Sequence, residues 1–374
     1  MISDLVEPNN LRLLFGAGGV VADVVDDLRE DLSFLAILAR AVFMPAALRP
    51  AVRVQEVFPP FVHHALPQLR NKKIGLVASG GSGALASLCG VRRACEEADV
   101  PVAAISACSG ATLFATLWAM GLSGEEMADF WLSLRTEDYV DADWSRLLKA
   151  GLRGFRDFGG LMRGEAVERA FRRRFGAATL ADTKIPLYAV VWNIDRNRIE
   201  YFGSKTTPRL PVARLARVAI SIPLLVEPVR IGRHLYGDGG IVSIFPVRPL
   251  IDHEEPLDIL LGVNCYHAEN FGGEDVTGWR EQSWAIARAS GQLRYSGHLE
   301  LAREQMKLAG SRLTMIHPVP YTDVRGAKFY ESFLDRSRWP HFMRQGRRSA
   351  QKVLRRLAQR RLATHPRRAS AAAG

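Results

Sequence analysis

The chain has 374 residues, 48% hydrophobic and 24% charged, which excludes a disordered or fibrous polymer and provides for a large buried core. Its four cysteines, Cys89, Cys95, Cys108 and Cys265, form no C-x-x-C pair, and its nine histidines show no metal-type spacing. A disulfide framework, a metal site and a cofactor are therefore not expected, and the cysteines are expected reduced and buried. The net charge of +11 is concentrated: ten Lys/Arg and no acid lie between Arg344 and Arg368, leaving about +1 for the rest.

The opening residues Met1–Glu7 lack the basic and apolar regions of a signal peptide. No apolar run reaches ~18 residues, so no transmembrane helix is expected and a cytoplasmic protein is. Residues 1–70 read as an extension. Leu11–Phe15 followed by Gly16-Ala17-Gly18-Gly19 is a faint dinucleotide fingerprint, but Val21 stands at the third glycine and no βαβ unit follows. Ser33–Ala47 is apolar enough for a core helix, a lid or a helix lying on a membrane surface. Pro50–Pro67 reads as an irregular connection.

The main domain begins near Asn71. Ile74–Ala78 is a strand, Ser79–Gly83 a glycine-rich turn and Ala84–Glu97 a helix. Val102–Ser106 is the next strand, followed by a helix to Met120. This alternation predicts a parallel sheet. Ser123-Gly124-Glu125-Glu126 is a capping box that starts another helix. Further helices are expected over Asp143–Leu152 and Gly164–Phe175, with Gly176 as a stop. Leu187–Asn193 and Arg198–Gly203 read as a hairpin around Asp195-Arg196-Asn197. Pro211–Ile222 reads as a helix, Leu257–Val263 as a buried strand, Trp279–Leu308 as a helix broken near Gly291, and Leu313–His317 as a last strand.

Three small-residue turns carry candidate chemistry. Ala104–Thr112 runs from an apolar strand into an apolar helix with one serine, Ser109, at the junction. That is the layout of a nucleophile elbow, with Ala107 and Ala111 where glycines usually stand and Gly110 next to the serine. The Gly80-Gly81-Ser82-Gly83 turn can aim consecutive N–H groups at one oxyanion. Asp238, followed by Gly239 and Gly240, can present a carboxylate beside the serine. Each piece alone is also an ordinary tight turn.

Together the three stretches resemble the patatin-like phospholipase family, whose members carry a glycine-rich oxyanion turn, a serine elbow about thirty residues on, and a distant Asp-Gly-Gly motif. Ser79-Gly80-Gly81 with Gly90-Val91, the link Arg92–Pro101, Ser221-Ile222-Pro223 and Gly237–Val242 through Phe245-Pro246 carry the likeness, over roughly residues 72–265. The resemblance implies a three-layer α/β sandwich with a mainly parallel sheet over 71–325. It also implies a Ser109–Asp238 dyad without histidine, an oxyanion hole at Gly80, Gly81, Ser82 and Gly83, and acyl lipid substrates cleaved through an acyl-enzyme. The turn departs from the family's pattern: Ser82 replaces a glycine, Ala84 stands at its arginine or lysine, and Leu85 replaces another glycine. A catalytically silent lipid-binding member of the same fold is the alternative from another class.

The order Ser109…Asp238…His267 also fits the chain order of an α/β-hydrolase triad. A lone loop histidine is more often surface, so the dyad ranks above the triad; His234 reads as a surface hairpin residue. Residues 326–374 form a basic tail. Ala350, Val353, Leu354, Leu357, Ala358 and Leu362 share one helical face, and Arg348, Lys352, Arg355, Arg356, Arg360 and Arg361 cover much of the rest. Such a helix can dock on anionic lipid or pack its apolar stripe on the body. The basic run Arg344–Arg368 has no aromatic residues and no nucleic-acid-binding fold is evident, which disfavours nucleic acid. Arg367–Gly374 is expected to be disordered.

Overall fold

The computed structural model describes residues 57–143, 145, 152, 159–266, 297, 299–320, 323–324, 332–333 and 336–364. Its centre is an eight-stranded mixed sheet built from β1 (Ile74–Ala78), β2 (Val102–Cys108), β4 (Leu187–Asn193), β5 (Arg198–Gly203), β7 (Val229–Ile231), β8 (His234–Asp238), β9 (Ile259–Val263) and β10 (Leu313–Ile316). The order is β10-β9-β1-β2-β4-β8-β7, with β5 on β4. Neighbours from β10 to β4 are parallel; β4 meets β5 and β8 antiparallel, as β7 meets β8. A separate pair joins β3 (Gly160–Met162) to β6 (Leu224–Val226). The first of the described strands thus lies in the interior of the sheet, and all five of its residues are buried.

Alternation along the strands divides the interior into two cores. Leu76, Ile105, Ala189 and Leu261 face one side, whereas Val77, Ala104, Val190 and Leu260 face the other. The larger core is covered by α1 (Ser87–Glu97), α2 (Gly110–Ala119), α3 (Gly124–Ser133), α4 (Glu165–Phe175), α5 (Val212–Ala219) and α6 (Trp339–Thr364). The smaller one is closed by the turn Arg248–Ile251 and the helix over 299–309. This is the expected three-layer α/β arrangement.

The capping box forms as read: the Ser123 hydroxyl accepts from the Glu126 amide at 3.1 Å, and Glu126 accepts from the Ser123 amide at 2.8 Å. Gly176 closes α4 at φ +61°. The hairpin β4–β5 has the expected bounds. Helix α5 is shorter than expected and stops at Ala219, three residues before Ile222. The Ser221 hydroxyl caps the Arg217 carbonyl there, and Pro223 disfavours helical backbone at Ile222. Most of Asp143–Leu152, the 279–296 part of the expected long helix, residues 1–56 and residues beyond 364 lie outside the described residues.

Helix α6 lies along α1 at very close range. A Cβ on Gly90 would stand 1.9 Å from the Met343 carbonyl oxygen, and one on Gly346 would stand 2.1 Å from that of Ser87. The contact also buries a charge cluster: Glu97, 1% exposed, accepts from Arg93 (3.1 Å), Arg347 (2.9 Å) and Gln351 (2.8 Å). Of the apolar stripe read from sequence, Ala350, Leu354 and Ala358 are buried and Val353 and Leu357 half-buried. The stripe therefore packs on the body and leaves Arg348, Lys352, Arg355 and Arg356 exposed; none of these four forms an ion pair with a described residue.

Candidate active site

Strand β2 ends at Cys108 and α2 begins at Gly110, so the chain must reverse its geometry at the single residue between them. Ser109 does this at φ +51°, ψ −141°, a left-handed setting that L side chains avoid at a cost of about 1–3 kcal/mol. Ala107 and Ala111 on either side are fully buried, and their methyls are accommodated in the core. The turn holds the half-buried serine at the end of the strand, as an elbow requires.

Asp238 ends β8 and is 1% exposed. Its Oδ2 accepts the Ser109 hydroxyl at 2.5 Å and its Oδ1 accepts the Gly240 amide at 2.7 Å. Burial pushes its carboxyl up to about 7; the hydrogen bonds from Ser109 and Gly240 act in the opposite sense. The two glycines after it are required by close approach. A Cβ on Gly239 would lie 2.6 Å from the Val190 backbone, and one on Gly240 would lie 3.1 Å from both the Ser109 Cβ and Asp238 Oδ1.

The glycine-rich turn reaches the same place from β1. A Cβ on Gly80 would stand 3.3 Å from the Ser109 Cβ. The Gly80 amide donates to the Ile244 carbonyl at 3.1 Å, so this residue brings the turn close without offering a donor. That amends the expectation of four consecutive donors. Among the described residues no acceptor takes the Gly81 N–H. Ser79 steadies the base of the turn: its hydroxyl accepts the Cys265 amide at 2.9 Å and donates to the Gly80 carbonyl at 3.0 Å.

Residues 76–251 match the sequence profile described as patatin-like phospholipase. The chain carries a patatin-like phospholipase domain. The uncharacterized protein R571 of Acanthamoeba polyphaga mimivirus is 26% identical over 179 residues, 45% of this chain and 57% of that protein. Lysophospholipase NTE1 of Cryptococcus neoformans is 26% identical over 219 residues, 57% of this chain and 12% of that protein. The chain thus spans less than two thirds of the curated relatives it matches. Among solved structures, VipD from Legionella pneumophila is 15% identical with a TM-score of 0.44, over 76% of this chain and 67% of that one.

Within the patatin-like domain, the residues that break the family's turn pattern are packed. Leu85, 2% exposed, lies against both Gly81 and Gly110; a Cβ on either would meet its side chain at 3.3 and 2.7 Å. Ala84 is fully buried and leaves the turn without its own cation. Cys108 donates its thiol to the Ile244 carbonyl at 2.9 Å, and burial beside Asp238 keeps that thiol protonated. Sequence reading missed Ile244 because its contribution is a backbone carbonyl, which no side-chain motif reveals. His267 lies outside the described residues; His234 sits in β8, 3.5 Å from Asp195. No helix among the described residues is long and apolar enough to cross a membrane.

Proposed function

We propose that the protein hydrolyses acyl lipid esters through an acyl-enzyme on Ser109 with Asp238 as its proton acceptor. The observation that carries this reading is the 2.5 Å bond from the Ser109 hydroxyl to a buried carboxylate whose acidity is shifted toward neutrality. In the first half-reaction the Ser109 oxygen attacks the ester carbonyl carbon while its proton passes to Asp238 Oδ2. The Gly81–Gly83 turn faces the developing oxyanion, with the Gly81 amide as a donor. Asp238 then gives the proton to the departing alcohol oxygen as the C–O bond breaks. In the second, Asp238 takes a proton from water, the hydroxide attacks the acyl carbon, and the proton returns to the Ser109 oxygen as the acid leaves.

Two features support an apolar, membrane-borne substrate. Ile222 and Val242 are 36% and 39% exposed. They flank the site through the bonds of Ser221 and Gly239: the Asp238 amide donates to the Ser221 carbonyl, and the Val242 amide to that of Gly239. The cation row of α6 suits peripheral docking on anionic lipid, each charge contributing ~1 kcal/mol near the surface.

The test is labelling of the purified protein with a fluorophosphonate, beside Ser109→Ala and Asp238→Asn. Labelling that vanishes in the first and drops at least about a hundredfold in rate in the second is the expected result. A folded parent that does not label would make the protein a silent binder on this fold.

A further inference from the structure

A glycine-rich turn has little side-chain packing of its own, yet oxyanion donors must be held within about 0.5 Å of their working positions. In this chain the turn rests on a segment some 250 residues later in sequence. Gly83 begins the single helical turn Gly83–Ala86, and the Ser332 peptide lies directly on its Cα. A Cβ there would stand 1.7 Å from the Ser332 oxygen, 2.3 Å from its carbonyl carbon and 2.7 Å from Trp339 Nε1. No side chain other than hydrogen fits at position 83 while this contact persists.

The contacting segment is itself fixed. Trp339 donates its indole N–H to the Ser332 carbonyl at 2.7 Å, and the Ser332 hydroxyl donates to that of Ser82 at 3.4 Å. Arg336 donates to the Trp131 carbonyl of α3 at 2.9 Å, with its guanidinium 6.0 Å from the Trp339 ring centroid. Trp339 meets Trp131 edge-on at 6.0 Å. Ser332, Arg336 and Trp339 are 1–3% exposed. A bond between two buried hydroxyls accounts for a serine at position 82, where the family's pattern has glycine.

We propose that Ser332 and Trp339 are positioning residues that hold the Ser82–Gly83 half of the oxyanion turn in its working geometry. Trp339 opens α6, and α6 is locked to α1 through Gly90, Gly346 and Glu97, so the buttress is continuous with the rigid body of the domain. The inference rests on the proposed hydrolase reading, in which this turn faces the oxyanion.

The experiment compares the full-length parent with Trp339→Phe, which keeps the ring but loses the N–H, with Ser332→Ala, and with Ser332→Thr, which restores a hydroxyl. Four quantities are read well below each variant's melting temperature. They are kcat and KM on p-nitrophenyl butyrate, affinity for a trifluoromethyl ketone that forms a tetrahedral oxyanion adduct, and the rate of fluorophosphonate labelling. Trp339→Phe and Ser332→Ala are expected to lower kcat about tenfold or more with KM within about twofold, and to weaken the ketone by the same factor as kcat. Ser332→Thr is expected to recover most of the loss. A general loss of structure would not produce that paired fall in kcat and ketone affinity. Folded variants with the parent's kcat and ketone affinity would overturn the inference while leaving the hydrolase reading intact. A folded parent that neither labels nor hydrolyses would overturn both.

Discussion

Ser109 and Asp238 meet because one edge of β4 serves two strands, although 129 residues separate them. One edge of β4 is occupied along nearly its whole length by β5. On the other, β2 pairs as far as Cys108 with Val190, and β8 takes over with Asp238 on Val191. The two strands run toward each other, so the residue just past one end faces the last residue of the other. The spacing of Ser109 and Asp238 is therefore set by adjacent positions of a buried strand rather than by loops.

Asp238 can take the Ser109 proton only as a carboxylate, and its carboxyl titrates near 7. Both kcat/KM and the rate of fluorophosphonate labelling are expected to level off above about pH 8 and to fall about tenfold per unit below about pH 7. A profile that is flat from about pH 5 to 8 would remove Asp238 as the base.

The same burial has a consequence for stability. The folded-state acidity lies above the ordinary value of 3.8, so the folded protein holds a proton that the unfolded chain gives up. The resulting contribution is present at low pH and is lost as pH rises from about 4 through about 7. Asp238→Asn, which keeps the volume and can accept from the Gly240 amide through Oδ1 while its Nδ2 donates to the Ser109 oxygen, should therefore be inactive yet more stable than the parent above about pH 7, by a few kcal/mol in order of magnitude. The gap should shrink as pH falls toward 5. Urea titrations at several pH values measure it, and a gap independent of pH would contradict the assignment.

Much of this arrangement is legible in the sequence. The bounds of β1, β4 and β5 and the capping box at Ser123 follow from periodicity and local chemistry, and those signals suffice because each is completed within a few residues. The meeting of Ser109, Asp238 and the glycine turn followed from resemblance; no local property of these residues encodes it. What could not be read depends on backbone atoms or on distant contacts. The Ile244 carbonyl that occupies the Gly80 amide has no side-chain signature. The glycines at 83, 90 and 346 look alike in sequence to Gly232, which would meet nothing within 4 Å. Tail residues that read equally well as a lipid-facing stripe prove to be core, because only their partner, α1, decides which face is covered.

Glu97 is the carboxylate on which the α1–α6 contact turns. Glu97→Gln leaves Arg93 and Arg347 without their buried counter-charge, and a loss of about 3–5 kcal/mol in unfolding free energy is expected. Equilibrium unfolding in urea, with limited proteolysis to report release of α6, checks it. A loss below about 1 kcal/mol would mean that the packing of Gly90 and Gly346 carries the contact without the charge cluster.

Replacing Arg348, Lys352, Arg355 and Arg356 by glutamate alters only exposed side chains that have no acidic partner among the described residues. Sedimentation with vesicles containing about 30% phosphatidylserine should show binding weakened by at least about a hundredfold, with hydrolysis of a water-soluble ester unchanged. Equal binding to neutral and anionic vesicles by the parent would dismiss the cation row as a docking surface.

The seating of Ser332 on Gly83 has one more consequence, for the order in which the protein is made. On the ribosome the elbow, the aspartate and the glycine turn all emerge before residue 332 does. A nascent chain arrested anywhere short of Trp339 would contain every residue of the dyad and still lack the support beneath the turn. On the proposed hydrolase reading, full activity toward an ester would then arrive late, only after the strands of the described sheet have been made.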